Sequence, residues 1–290
     1  MASRRAWVLG GGGARGAAEV GIMLALFEAG VDPPIRLVGS SVGALNAAAI
    51  AGYPTLAGAQ MLRRIWLSHL AHNVFRRHAL GMTISGLRWK PYLVDSDAVV
   101  RLINRVGALT GVTTFEELTI PLTVVVTDLG MGRPGLFNSG ELGLPLLAST
   151  AIPGLYPPVT IDGHEYYDGG IVNNTPISVA VDQGAKDVVA ISLMATRPDP
   201  SRLDSWPDVL ARTVQLTLHQ QMLIDFERLQ ERARLTVLCP LLPVEVDRYA
   251  ASGQLGSVIE SARRSMADLL AKRGSRLFRH SGVHYLELAA

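Results

Sequence analysis

Short apolar runs alternate with stretches of helical spacing along most of this chain. Ala6-Trp7-Val8-Leu9-Gly10 has the length of a strand and leads into glycines, and from Ala14 to Ala29 the apolar positions Val20, Leu24 and Phe27 recur at helical spacing. The pattern predicts strand, glycine turn, helix. A second unit repeats it, with Arg36-Leu37-Val38-Gly39 as the strand and Val42 to Gly52 as an Ala-rich, nearly uncharged helix that must pack on more than one side. Pro121 to Thr127 is a β-branched run without alternation, as expected of a strand covered on both faces. Val159-Thr160-Ile161 and His164-Glu165-Tyr166-Tyr167 flank Asp162-Gly163, a step suited to a hairpin. Asp187 to Leu193 supplies a further buried strand. Beyond Ser205, Trp206 to Leu229 reads as one long helix or two joined. A strand ending at Cys239 follows, then an amphipathic helix from Leu255 to Lys272 and a tail rich in Arg and His.

Strands alternating with helices predict an α/β fold with a mostly parallel sheet covered on both faces. Neither a repeat nor a linker divides the chain, so residues 1–290 are expected to form one domain. Residues 55–110 would be a helical cap over the site, and 205–275 a C-terminal helical region.

Composition changes this picture little. The lone Cys239 excludes an intramolecular disulfide framework and reads as a buried strand thiol. The Arg4-Arg5 start imitates a secretory signal, but Arg15, Glu19 and the glycines interrupt its apolar stretch, and no segment has the uncharged length of a membrane span. A cytoplasmic protein is expected, one with room for peripheral contact at a membrane. The net charge of +2 warrants no claim about polyanions. Between residues 60 and 105, however, Arg63, Arg64, Arg76, Arg77, Arg88, Lys90, Arg101 and Arg105 face only Asp95 and Asp97, with Trp66, Phe75 and Trp89 interleaved. This is either a solvated face or a surface for anionic lipid. No nucleic-acid module accompanies it, so nucleic acid is not expected as a partner.

The candidate chemistry begins at Gly11-Gly12-Gly13-Ala14-Arg15-Gly16, which fits a dinucleotide loop by spacing and context. That reading needs an acidic residue at the end of the second strand, and Asp32 lies before that strand instead. A phosphate loop fails too, because no Gly-Lys-Ser or Gly-Lys-Thr follows. The remaining chemical use is an oxyanion hole, in which unencumbered N–H groups converge at a helix N-terminus. Two turns needed only for tight packing are the plain alternative. An oxyanion hole requires a nucleophile nearby, and Gly39-Ser40-Ser41-Val42-Gly43 offers Ser41 at a strand-to-helix turn. Parallel strands bring both loops to the same edge of the sheet. None of the seven histidines sits in an obviously constrained turn, whereas Asp168-Gly169-Gly170 does.

Taken in this order, the sequence resembles the patatin-like phospholipase family. Gly11 to Gly16 looks like its oxyanion loop, Gly39 to Gly43 like its nucleophile elbow, and Asp168-Gly169-Gly170 like its aspartate motif. Ala148-Ser149-Thr150-Ala151-Ile152-Pro153 through Tyr156-Pro157-Pro158, and Val172-Asn173-Asn174-Thr175-Pro176, resemble the segments on either side of that aspartate. Ser40 stands where many relatives carry threonine. The resemblance runs from about residue 5 to 195 and implies a three-layer α/β/α sandwich. It also implies a Ser41–Asp168 dyad without histidine, lipid acyl esters as substrates, and an oxyanion hole from Gly11, Gly12 and Gly13 with Arg15 ordering the loop. Gly16, Gly39, Gly43, Gly169 and Gly170 would support these motifs. No cofactor or metal is called for. Two other classes stay open: a non-catalytic lipid-binding module on the same fold, and a Ser–His–Asp triad using His219, His280 or His284.

Overall fold

The computed structural model describes residues 5–69, 71, 74, 92–195, 206–242 and 254–288. In its first part, β1 (Ala6–Leu9), a 3-10 turn (Gly13–Arg15), α1 (Gly16–Glu28), β2 (Arg36–Ser40) and α2 (Val42–Gly52) follow the two predicted units. Next come α3 (Leu56–Trp66), α4 (Asp97–Thr110), β3 (Leu122–Asp128), β4 (Arg133–Phe137) and α5 (Gly143–Ser149). The hairpin β5 (Val159–Ile161) and β6 (His164–Asp168) leads into α6 (Gly170–Asn173), α7 (Ile177–Asp182) and β7 (Asp187–Ile191). The chain closes with α8 (Trp206–Leu229), β8 (Arg234–Leu241), α9 (Leu255–Arg273) and β9 (Gly282–Glu287).

The strands form one mixed sheet in the order β5-β6-β3-β2-β1-β7-β8-β9, with β4 on β3. From β3 through β9 along that order every pairing is parallel; the antiparallel pairs are β3 with β4, β3 with β6, and β5 with β6. Successive side chains of β1 explain why its sequence does not alternate. Trp7 and Leu9 enter the apolar layer shared with α1, α2 and α9, while Ala6 and Val8 enter the layer shared with α7 and α8. Both faces are therefore covered, which gives an α/β/α sandwich.

Two segments depart from the sequence reading. The Arg- and His-rich tail contains β9, which extends the sheet in parallel with β8. Within the Gly- and Pro-rich stretch after residue 130, Arg133-Pro134-Gly135-Leu136-Phe137 is the edge strand β4, where a proline is tolerated because no second neighbour needs its N–H. The Asp162-Gly163 hairpin forms as predicted, with φ of 50° and 80° at its two central residues.

One pairing detail positions the site. β4 occupies one edge of β3 along Val124–Asp128. The other edge is shared in succession: β2 pairs with Leu122 to Val125, and β6 takes over at Val126, opposite Asp168. Because β2 stops at Ser40, the next residue, Ser41, and the last residue of β6, Asp168, come together on β3.

Candidate active site

Ser41 turns the chain from β2 into α2 with φ 54° and ψ −131°, a conformation rare for any residue but glycine. Such strain costs roughly 1–3 kcal/mol and persists only where surroundings enforce it. Here the Ser41 N–H donates to Ser149 Oγ at 2.8 Å, and Ser149 Oγ donates in turn to the Val125 carbonyl at 2.7 Å. The turn also needs close approach. A Cβ at Gly43 would collide with the Leu9 and Gly10 carbonyls, so α2 can start against the end of β1 only with glycine there. Gly39 closes the same turn from the β2 side, and Gly169 sits over Val125 beside Ser40.

Ser41 Oγ donates to Asp168 Oδ2 at 2.6 Å. The second carboxyl oxygen, Oδ1, accepts the Gly170 N–H at 2.7 Å, and the Asp168 backbone is held by Ala151 and Thr127. Burial pushes the carboxyl up to about 6, against the opposing pull of the bonds from Ser41 and Gly170. Asp168 is thus mostly ionised at pH 7 yet more basic than an ordinary carboxylate.

The glycine loop reaches the same place from β1. Gly10 donates its N–H to Ile191, and Gly11 donates to the Asn174 carbonyl at 2.9 Å, while Asn174 Nδ2 returns a bond to the Gly11 carbonyl. Gly11 therefore anchors the loop and has no N–H left for an oxyanion. The N–H groups of Gly12 and Gly13 meet no acceptor among the described residues, and Gly13 takes a left-handed φ of 55°. Arg15 is buried on the 3-10 turn, and Gly16 opens α1 against Val42 and Trp66.

Gly13 and Ser41 both line a cavity of about 420 Å³. Its walls are apolar side chains of α2, α3, α4 and α5, among them Leu45, Ala49, Ile65, Leu102, Ile103 and Leu146. That size and lining suit an extended apolar group.

A family model described as patatin-like phospholipase matches residues 7–181. The chain belongs to the patatin-like phospholipase family. An uncharacterised NTE family protein of Mycobacterium bovis is 33% identical over 72% of this chain and 54% of its own length. Human patatin-like phospholipase domain-containing protein 6 is 32% identical over 71% of this chain and 14% of its own length. The chain thus spans about half of the mycobacterial relative and a smaller share of the mammalian one. Among solved structures, VipD from Legionella pneumophila has a TM-score of 0.46 at 14% identity, covering 89% of this chain and 67% of that chain.

Within this patatin-like fold, the three motifs singled out in the sequence converge on one end of the sheet. Ser149 and Asn174 belong to the segments flanking the aspartate motif, and neither has a role that the sequence indicates; the structure makes them the props of Ser41 and of Gly11. His219 instead stands 3.3 Å from the Tyr285 hydroxyl and His284 lies on β9, so β1, β7 and β8 separate β9 from the elbow strand β2. His280 borders an open surface hollow beside Lys186 and Arg279. Cys239 is buried, its thiol pushed up to about 12. Of the basic segment, Arg76, Arg77, Arg88 and Lys90, with Phe75 and Trp89, lie outside the described residues; Arg63, Arg64, Arg101 and Arg105 are exposed on α3 and α4. Among the described residues, no helix is long and apolar enough to cross a membrane.

Proposed function

We propose that this protein is a serine acyl hydrolase that cleaves lipid acyl esters through a Ser41–Asp168 dyad and an acyl-enzyme intermediate. The observation that carries the reading is the 2.6 Å bond to a buried, basic carboxylate from the Oγ of Ser41, which lines an apolar cavity. Asp168 takes the Ser41 proton as Oγ attacks the ester carbonyl, and the N–H groups of Gly12 and Gly13 receive the negative oxygen. The intermediate collapses, and the leaving alkoxide takes the proton from Asp168. A water then gives its proton to Asp168 and attacks the acyl-serine. The acid departs, and Ser41 recovers its proton.

The cavity supports an acyl chain as the group bound beside Ser41. Mammalian relatives are named for a patatin-like phospholipase domain, which makes phospholipid esters the first substrates to test. The exposed arginines of α3 and α4, the helices that wall the cavity, support a companion reading in which this side faces an anionic lipid surface.

The test is a fluorophosphonate probe with the adduct located by peptide mass spectrometry, beside hydrolysis of p-nitrophenyl esters. A single adduct on Ser41, absent in Ser41→Ala, is expected. A folded protein that takes no adduct would be a lipid-binding module instead.

Chain length gives a second check. Ala49 is buried against the cavity, so Ala49→Leu should reduce turnover of a dodecanoyl ester about tenfold while changing that of a butyryl ester less than about twofold. Equal losses on both esters would remove the acyl chain from this cavity.

A further inference from the structure

Glu19 is a fully buried carboxyl on α1, the helix that begins where the glycine loop ends, and the dyad does not use it. Asn46 of α2 donates through Nδ2 to Glu19 Oε2 at 2.8 Å and to the Gly16 carbonyl at 3.1 Å. The same amide accepts from Trp66 Nε1 of α3 at 2.8 Å through Oδ1. One amide therefore joins the helix of the oxyanion loop, the helix of the elbow and a wall of the cavity. Asn46 and Trp66 themselves line that cavity with Gly13 and Ser41.

The network is complete on one side of Glu19 only. Oε1 is buried and has no hydrogen-bond partner among the described residues, the Gly10 N–H being given to the Ile191 carbonyl. Either form leaves the atom at Oε1 unpaired, but an unpaired neutral O–H costs far less than an unpaired charged oxygen in an apolar core, so the arrangement favours a carboxylic acid whose carbonyl oxygen accepts from Asn46. Burial pushes the group up to about 8, and the lowering influence of Asn46 and the Gly10 backbone does not reverse this. The other charged residues on α1 and the elements around it are Glu28 on α1 itself, Arg15 on the preceding turn, Arg63 and Arg64 on α3, and Glu260, Arg263, Arg264, Asp268, Lys272 and Arg273 on α9; α2 carries none. The causes of the shift at Glu19 include none of them.

We infer that neutral Glu19 is a positioning residue of the oxyanion loop: as an acid it completes the Asn46-centred network that fixes Gly16 against α2, and as a carboxylate it disables the hole. An unpaired carboxylate there is relieved only by admitting water or shifting α1, and either displaces the turn that carries Gly12 and Gly13. Its charge also opposes the oxyanion that forms during attack. The inference rests on the acyl-hydrolase reading above.

The experiment compares wild type, Glu19→Gln and Glu19→Ala between about pH 5 and 10, by initial ester-hydrolysis rates, by the rate of fluorophosphonate labelling at Ser41, and by thermal unfolding. Wild-type kcat and labelling should fall about tenfold per unit above roughly pH 8. The glutamine variant, whose amide oxygen accepts from Asn46 as the acid does, should lose that alkaline limb. The alanine variant should lower kcat about tenfold at pH 7 with KM within about twofold, and glutamine should restore most of the loss. Unfolding needs no substrate. The folded carboxyl keeps its proton up to about 8, while the unfolded chain releases it near 4.5, so wild-type stability falls as pH rises across that window. The glutamine variant lacks this slope, and its advantage in Tm should widen over the same range. An alkaline limb that persists in the glutamine variant, or a Tm difference that does not change with pH, overturns the inference. Ester turnover absent throughout, with labelling that follows the expected profile, would instead count against acyl esters as substrates and leave Glu19 in its role.

Discussion

Asp168→Asn is expected to remove nearly all turnover and to abolish a fall of stability with pH between about 4 and 6. Asparagine keeps the shape of the side chain, but its one amide oxygen accepts from Ser41 Oγ or from the Gly170 N–H and not from both, and it cannot take up the proton, so general-base catalysis worth roughly 10²–10⁴-fold is lost. Stability responds through its pH dependence. Burial raises the folded carboxyl from 3.8 to about 6, so the native state binds the proton more tightly than the unfolded chain does. Wild-type stability is therefore highest below about 3.8 and declines until the group is ionised above about 6. At pH 7 the wild type has given up roughly 2–3 kcal/mol in this way, which a neutral amide avoids. Parallel initial rates and thermal scans should thus give an inactive variant whose Tm, measured against that of the wild type, climbs by roughly 5 °C between about pH 4 and 7, whatever the constant cost of the hydrogen bond lost at Gly170. The wild-type rate should rise through an acid limb near pH 6. Should Asp168→Asn retain turnover while a single histidine replacement abolishes it, the base would be that histidine and the dyad would be withdrawn.

Gly43→Ala should damage fold and activity together. The added methyl has no free direction, because the atoms it would meet are the backbone of Leu9 and Gly10, at the point where α2 lies against β1. Separating them moves the elbow and the glycine loop apart, so a loss of roughly 3 kcal/mol or more is expected, with Tm lower by roughly 6–12 °C. Turnover should fall at least tenfold even in the fraction that stays folded, because the relation of Ser41 to Gly12 and Gly13 is what has changed. Gly52→Ala, at the other end of the same helix, is the control. A Cβ there makes only ordinary contacts, the nearest at 3.7 Å to Val112, and alanine favours the helix by a few tenths of a kcal/mol or more. Differential scanning calorimetry on both variants would separate them; similar stabilities would mean that β1 and α2 yield more easily than their packing implies.

The parts of the fold that could be read from sequence are those where local chemistry and burial agree. Val8-Leu9 before the glycines, Val38-Gly39 before Ser41, and the Asp162-Gly163 step each announce a strand end or a turn that only a few residue types allow. β4 was hidden because Arg133, Pro134 and Leu136 are exposed and a proline and a glycine interrupt any alternation. β9 was hidden for a similar reason: it is an edge strand, with Val283 and His284 only partly buried and Tyr285 exposed. Within the site, Ser41 and Asp168 stood out through their flanking glycines. Ser149 and Asn174 act across gaps in sequence of 108 and 163 residues, which no local pattern encodes. Glu19 was similarly concealed, since a glutamate in the first turn of a helix ordinarily reads as a favourable charge at the positive end of the helix dipole. Its burial is a tertiary fact.

The shared edge of β3 has a consequence for how such a site can change. Thirty-nine residues lie between Asp128 and Asp168, yet their number does not set where Ser41 and Asp168 meet. Val125 is the last residue paired with β2 and Val126 the residue paired with Asp168, so neighbouring peptide units of one strand act as the ruler. Insertions or deletions between β4 and α5 can reshape the cavity wall at Glu141 and Leu142 and still leave Ser149 and Ala151, and with them the reach from Ser41 Oγ to Asp168, in place. A slip of β6 by a single residue, in contrast, would turn the Asp168 side chain to the opposite face of the sheet. Substrate range and chemical competence are therefore free to drift separately: one is written in loop length, the other in the alignment of two strand ends on a third.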